Sequence, residues 1–185
     1  MHQPLTADLN PADEVVAVYD RTGNPICRAP RSVVYSGGLW HASAGVLVRT
    51  GDGSRIYVHR RTDTKAVFGG YHDCLAGGVV DPGETPQETA IREVGEELGI
   101  FGTADQPLQL TEIARKSWDG EWNNSPLRCH LFAFELRYDG PMAHQPSEIA
   151  EGWWLTPKEL GAHLQDPSWP FVPDSRALLA DYCWS

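Results

Sequence analysis

Apolar residues keep a helical spacing over one long stretch of the chain, where Ala90, Ile91, Val94 and Leu98 fall on one face. Thr85 stands where an N-cap is wanted, Pro86 suits the first helical position, and Glu88 supplies the acid three residues after the cap. Gly99 is placed to stop the helix, so the pattern predicts a helix over residues 86–98. Gly95 inside it costs about 1 kcal/mol relative to alanine, so something other than propensity favours it there. Elsewhere β-rich runs dominate. Residues 14–19 and 25–28 flank a hairpin-like turn at 20–24, and 40–49 and 55–60 flank a Gly/Asp turn at 50–54. Further strands are predicted at 71–75, 110–117 and 127–138, a second helix at 157–165, and a short terminal helix at 175–182 behind a Pro/Trp-rich loop. Strands around one long helix, with another helix near the end, predict an α+β sheet-and-helix sandwich.

The 185 residues suit one domain with a sizeable core, read as residues 13–185 after a frayed segment over 1–12. No apolar run approaches the ~20 residues of a membrane span, and the polar N-terminus lacks a secretory pattern. The expected compartment is therefore the cytoplasm, with no membrane partner. A net charge of −10 argues against a nucleic-acid polymer as partner but leaves room for a small phosphorylated substrate, because a bound metal inverts the local sign. The four cysteines are scattered without a C-x-x-C pair, so buried free thiols are expected rather than a zinc or redox site.

The chemistry concentrates on the first helix. Glu93, Glu96 and Glu97 stand at i, i+3 and i+4, which stacks three carboxylates on one helix surface. Unpaired, they repel one another; a hard divalent cation such as Mg2+ relieves the repulsion and keeps positions for water and phosphate. Arg92 and Glu84 are opposite charges able to pin the preceding segment to the helix. That segment, residues 76–83, reads as a glycine loop built for tight turns and close backbone approach. An isolated acidic face would more simply be solvated.

The run from Gly78 to Ile100 matches the Nudix box, G-x5-E-x7-R-E-U-x-E-E-x-G-U with U aliphatic, at every specified position: Gly78, Glu84, Arg92, Glu93, Val94, Glu96, Glu97, Gly99 and Ile100. A chance match in a chain of this length is on the order of one in a million. The chain thus resembles the Nudix hydrolases. The resemblance implies a Nudix fold, an α/β/α sandwich around a mixed β-sheet, and hydrolysis of a diphosphate linkage in a small, usually nucleotide-derived substrate. It implies Mg2+ or Mn2+ held by Glu93, Glu96 and Glu97, and a catalytic set of Glu97, Glu96, Arg92 and Glu84. The backbone of Gly77 and Gly78 would face substrate. A general base can come from Glu96 or Glu97, or from outside the box, where Glu148 and Glu151 are the candidates.

Other residues carry two readings each. Arg60, Arg61 and Lys65 form a basic cluster that suits phosphate or pairs with surface acids. Trp118, Trp122 and Asn123 are expected in a loop that either caps the site or packs. His72 and His130 are substrate contacts or satisfied structural groups. The aromatic residues at 169–171 and 182–184 either cover an apolar patch or make a homodimer contact.

Beyond the box, the order of motifs over residues 14–165 is similar to Nudix proteins close to isopentenyl-diphosphate isomerase. That isomerase places a catalytic cysteine and a metal-binding histidine at positions occupied here by Gly77 and Val79, and an acidic pair near Ser125-Pro126-Leu127. Cys74 lies three residues too early, and only His41 matches an isomerase metal histidine. The scaffold is shared while the chemical groups are missing, which favours a hydrolase over the isomerase or a catalytically silent ligand sensor.

Overall fold

The computed structural model describes residues 14–184; the expectation for residues 1–12 lies outside them. Strands β1 (Val15–Tyr19) and β2 (Pro25–Pro30) form an antiparallel hairpin. Asp20 closes its turn, accepting the N–H groups of Thr22 and Asn24 at 2.8 and 2.9 Å. A short helix, α1 (Arg31–Ser36), follows. Nothing in the hydrophobic pattern marks it, because six residues with paired valines and no side-chain cap show no helical period.

The main sheet is built from β3 (Trp40–Arg49), β4 (Ile56–Arg61), β5 (His72–Asp73), β6 (Ala76–Val79), β7 (Thr111–Trp122), β8 (Ser125–Arg137) and β9 (Ile149–Leu155). Its path runs β5-β4-β3-β8-β7, with β6 on β3 and β9 on β4. The β3–β8 pair is parallel and the other pairs are antiparallel, so the sheet is mixed. One edge of β3 is shared: Ser43–Val46 pairs with β6, while Arg49 pairs with Ile56 of β4.

Helix α2 (Pro86–Leu98) lies on one face of the sheet, and α3 (Pro157–Gln165) and α4 (Pro173–Leu178) lie on the other. Alternation along β3 explains this. Ala42, Ala44, Val46 and Val48 pack with Ala90, Val94 and Leu98 of α2, while Leu47 packs with Leu160 of α3 and Leu178 of α4. The result is the expected α/β/α sandwich. Among the described residues no helix is long and apolar enough to cross a membrane.

Several expectations need correction. The strand expected at 71–75 is reduced to His72–Asp73, and the supposed glycine loop begins instead as strand β6. A glycine pair carries no β-propensity signal, yet β6 needs it. A Cβ on Gly77 would sit 2.1 Å from the Ala44 carbonyl oxygen and one on Gly78 would sit 2.3 Å from Glu93 Oε1. Strand β7 continues through Trp122 and turns at Asn123 and Asn124, whose φ of 49° and 60° make the primed turn of a two-residue hairpin. Trp118 and Trp122 are therefore strand residues, packed on Phe68 with ring centroids 6.4 and 4.7 Å away.

The terminal helix starts earlier than expected, with Pro173 at its first position. Trp169, Tyr182 and Trp184 pack against the core beneath α3 and α4, in keeping with the covering role. Ile91 is exposed rather than part of the buried face of α2. Cys74 and Cys129 are buried but Cys27 and Cys183 are exposed. Gly95 finds its reason here: a Cβ would meet the Phe101 ring at 2.6 Å.

Candidate active site

Helix α2 begins as its sequence dictates. Thr85 and Glu88 form a reciprocal capping box, Pro86 occupies the first turn, and Gly99 ends the helix at φ 66°. The capped start fixes the segment carrying Glu84. Arg92 grips Glu84 with two hydrogen bonds of 3.1 Å, from Nε to Oε1 and from Nη2 to Oε2, and Thr89 Oγ1 donates to Glu84 Oε2 at 2.7 Å. The glutamate that opens the box is thus clamped to the helix, and its carboxyl is held below the usual range by the Arg92 bond. Arg92 Nη1 also donates to Glu93 at 2.7 Å and to Glu96 at 3.2 Å.

The three helix carboxylates differ sharply in environment. Glu96 is largely exposed and Glu93 mostly covered, while Glu97 is only 4% exposed. The Glu97 carboxylate receives the Gly77 N–H at 3.2 Å, the one hydrogen bond its side chain makes among the described residues. Burial, then the neighbouring charge of Glu93, pushes it up to about 8. Burial raises Glu93 as well.

A divalent cation would relieve this crowding, and three carboxylates are the oxygen donors Mg2+ or Mn2+ takes. The donor set and its buried negative charge therefore fit such an ion. Among the described residues no three acid, histidine or cysteine groups already converge on one point. Glu93 and Glu96 are instead turned onto Arg92, so binding would require them to rotate from it.

Above Glu93 and Glu97 the strand Ala76–Val79 forms part of the wall of a cavity of about 640 Å3. That volume suits a small organic ligand. Gly77, Gly78, Arg61, Lys65 and Glu148 all line it, so these sequence candidates are brought together. Lys65 makes an ion pair with Glu148, and burial followed by the Arg61 charge lowers the ammonium to about 8. The segment between β4 and β5 that carries Lys65 is itself tied to the start of β9. Thr62 N–H donates to the Glu148 carbonyl at 3.0 Å and Thr62 Oγ1 to the Ser147 carbonyl at 2.9 Å.

Arg60 and Glu151 lie apart from this group. They pair with each other at 2.9 Å, Arg60 bonds Asp63 as well at 3.1 Å, and neither lines the cavity. The reason is strand alternation, which sends Arg60 and Arg61 to opposite faces of β4. His72 and His130 are satisfied structurally: His72 Nδ1 meets the Pro170 carbonyl at 3.0 Å, and His130 bridges the Asp20 carbonyl and Ser117.

Cavity residues that escape sequence reasoning as site residues include Tyr35, His41, Asp73 and Asp174. His41 drew notice only as a match to the isomerase. The other three come from α1, the edge strand β5 and the start of α4, elements with no shared motif. Burial, then the Arg61 charge acting in opposition, sets Asp73 at about 7, and burial raises Asp174 to about 6.

These buried groups give a pH dependence with a defined window. Glu97 and Asp73 bind protons more tightly folded than unfolded, so their contribution to stability is lost as pH rises toward about 8 and about 7. His41 and His59, lowered by burial to about 4 and about 3, act oppositely, but only below the ordinary histidine pKa of ~6.5. Lys65 acts oppositely above about 8. Between about pH 6.5 and 8 the carboxylates act alone. In EDTA the unfolding temperature is expected to fall across that window, and Mg2+ should raise it more at the upper end than at the lower. A flat profile in calorimetry would remove Glu97 as a buried acid.

A family model described as NUDIX domain matches residues 39–181, which include the capped helix, its carboxylates and most of the cavity lining. The Nudix hydrolase orf19 of Rhodococcus erythropolis is 98% identical over 185 residues, covering 100% of both chains. The Nudix hydrolase SCO1686 of Streptomyces coelicolor is 32% identical over 172 residues, covering 93% of this chain and 90% of its own length. The crystal structure of DR0079 from Deinococcus radiodurans superposes with a TM-score of 0.72 at 23% identity, over 92% of this chain and 100% of that one, a likeness that bears on the fold. The clamped Glu84–Arg92 pair and the carboxylates beneath the glycine strand are thus the box of a recognised domain, and the chain belongs to the Nudix hydrolase family.

Proposed function

We propose that this Nudix hydrolase cleaves a diphosphate linkage in a small, nucleotide-derived substrate, with Mg2+ or Mn2+ held by Glu93, Glu96 and Glu97. The observation that carries the reading is the buried Glu97 carboxylate bonded beneath Gly77, where Gly77 and Gly78 line a cavity that Arg61 and Lys65 also line. Acids below and cations beside the same strand suit a metal-bound diphosphate.

The bound ion supplies charge neutralisation of the phosphates and an acidified water. The chain supplies the rest. Gly77 and Gly78 keep side chains out of the way, so the diphosphate approaches the backbone. Arg61 and Lys65 offer donors to its oxygens in a site where burial strengthens each contact. Arg92 and Glu84 are positioning residues: they hold the preceding segment on α2 and, through Arg92, orient Glu93 and Glu96. Glu96 or Glu97 can accept a proton from water. Glu148 is the outside candidate for general base, since it lines the cavity beside Lys65, whereas Glu151 is engaged by Arg60 outside it.

The isomerase reading lacks its nucleophile. Cys74 is 1% exposed within the core, and burial raises its thiol well above the ordinary value. A turnover screen tests the proposal, with ADP-ribose, dinucleotides, nucleotide sugars, coenzyme A and nucleoside triphosphates, each with Mg2+ and with EDTA. Cleavage that requires the metal is expected for at least one compound. A folded protein that binds Mn2+ yet cleaves none would point to a ligand sensor instead.

A further inference from the structure

The cavity wall also carries polar atoms that no protein group satisfies. Asp73 and Asp174 both line it, but they differ. Asp73 is fully engaged: its Oδ1 accepts the N–H groups of Cys74 and Leu75 at 2.8 and 3.1 Å, and its Oδ2 accepts Ser175 Oγ at 3.1 Å. Asp174 uses only Oδ1, which accepts the Ser175 N–H at 2.8 Å. Among the described residues its Oδ2 has no hydrogen-bond partner, nor has the hydroxyl of Tyr35. His41, 4% exposed, also lines the cavity, and its buried Nδ1 is unpartnered. Arg61, also in the wall, leaves its buried Nε without a partner.

These groups share one region. Cys129 pairs in register with His41, and both line the same cavity as Asp174. Tyr35 stacks edge-on against His41 at 5.4 Å. Around them the walls are apolar, with Phe68, Leu127, Val172 and Leu178. Phe68 is held at φ 53°, a conformation that a bulky residue rarely takes, by its packing on Trp118, Trp122 and Tyr71. Asp174 is held as well, because Ser175 beside it is tied to Asp73. Asp174 is half-buried, and a ligand entering the cavity strips water from its open Oδ2, so a ligand group that supplies a donor there is favoured over one that does not.

We propose that Asp174 is a specificity residue, and that the cavity takes a substrate whose moiety beyond the diphosphate is an apolar body ending in an O–H or N–H donor. The donor meets Asp174 Oδ2 while the body lies against Phe68, Leu127 and Val172. This rests on the diphosphate being held at Gly77–Gly78, as proposed above.

The test uses three non-hydrolysable methylene-bridged diphosphate analogues bearing n-pentyl, 5-hydroxypentyl and 5-aminopentyl groups, titrated calorimetrically into the whole protein with Mg2+. Wild type should bind at least one donor-ended probe about tenfold more tightly than the pentyl probe. The hydroxyl and amino arms show which donor is preferred. In D174N, which keeps an acceptor for the Ser175 N–H, the preference should vanish. Equal affinity for all three probes in wild type overturns the inference without any variant, and a preference that survives in a folded D174N overturns it too. Failure of every probe to bind in Mg2+ instead removes the diphosphate site on which the inference depends, and the inference with it.

Discussion

Glu97→Gln is expected to lower metal-supported turnover by about two orders of magnitude or more, and also to raise the unfolding temperature of the metal-free protein. Both effects come from the same atoms. The carboxylate is buried against Glu93 with a single backbone donor, so in EDTA it must take up a proton on folding or, above about pH 8, stand as a charge poorly compensated by its surroundings. Glutamine keeps the shape and an acceptor for the Gly77 N–H but removes the charge that a cation would neutralise. The variant should therefore be more stable without metal, gain less from Mg2+, and turn over slowly at saturating Mg2+. Calorimetry with and without EDTA, beside a turnover assay, reads all three. Wild-type activity in a folded E97Q protein would sink the proposed role, while equal metal-free stability would show only that the charge is better solvated than its burial indicates.

The second large effect is structural. Gly77→Ala places a Cβ 2.1 Å from the Ala44 carbonyl oxygen and 2.5 Å from Gly45 Cα, both backbone atoms of the central strand. Neither can move without opening the β3–β6 pairing, so a loss of about 3 kcal/mol is expected, or about 10 °C in unfolding temperature. Gly78→Ala makes an instructive contrast. Its Cβ meets Glu93 Oε1 at 2.3 Å, the far end of a side chain that can swing aside. It should cost little stability but displace a carboxylate proposed above to hold the metal, lowering Mg2+ affinity. Denaturant midpoints and Mn2+ titrations of the two variants separate the effects. The same midpoint for both would mean that β6 is less closely packed on β3 than described.

Much of the site is legible in the sequence because its residues are close in the chain. The capping box, the Glu84–Arg92 clamp and the three carboxylates all lie between positions 84 and 97, where helical geometry alone decides what meets what. The long strands were readable to within a few residues wherever turn residues bounded an apolar run, as at β3 and β8. Errors arose where a residue answers to a distant neighbour. Gly77 and Gly78 look like a loop until β3 and α2 are brought against them. Arg60 and Arg61 look equivalent until the pleat of β4 sends one to Glu151 and the other to the cavity.

The sequence by itself determined the family, the long capped helix and the acids it carries, since these depend on contacts within a few turns of chain. Only the tertiary structure decided that Glu97 is buried while Glu96 is exposed, and that Tyr35, His41 and Asp174 share one cavity with Lys65. Burial and convergence depend on which strands and helices close over a side chain. Those neighbours come from far along the chain, and no local pattern encodes them.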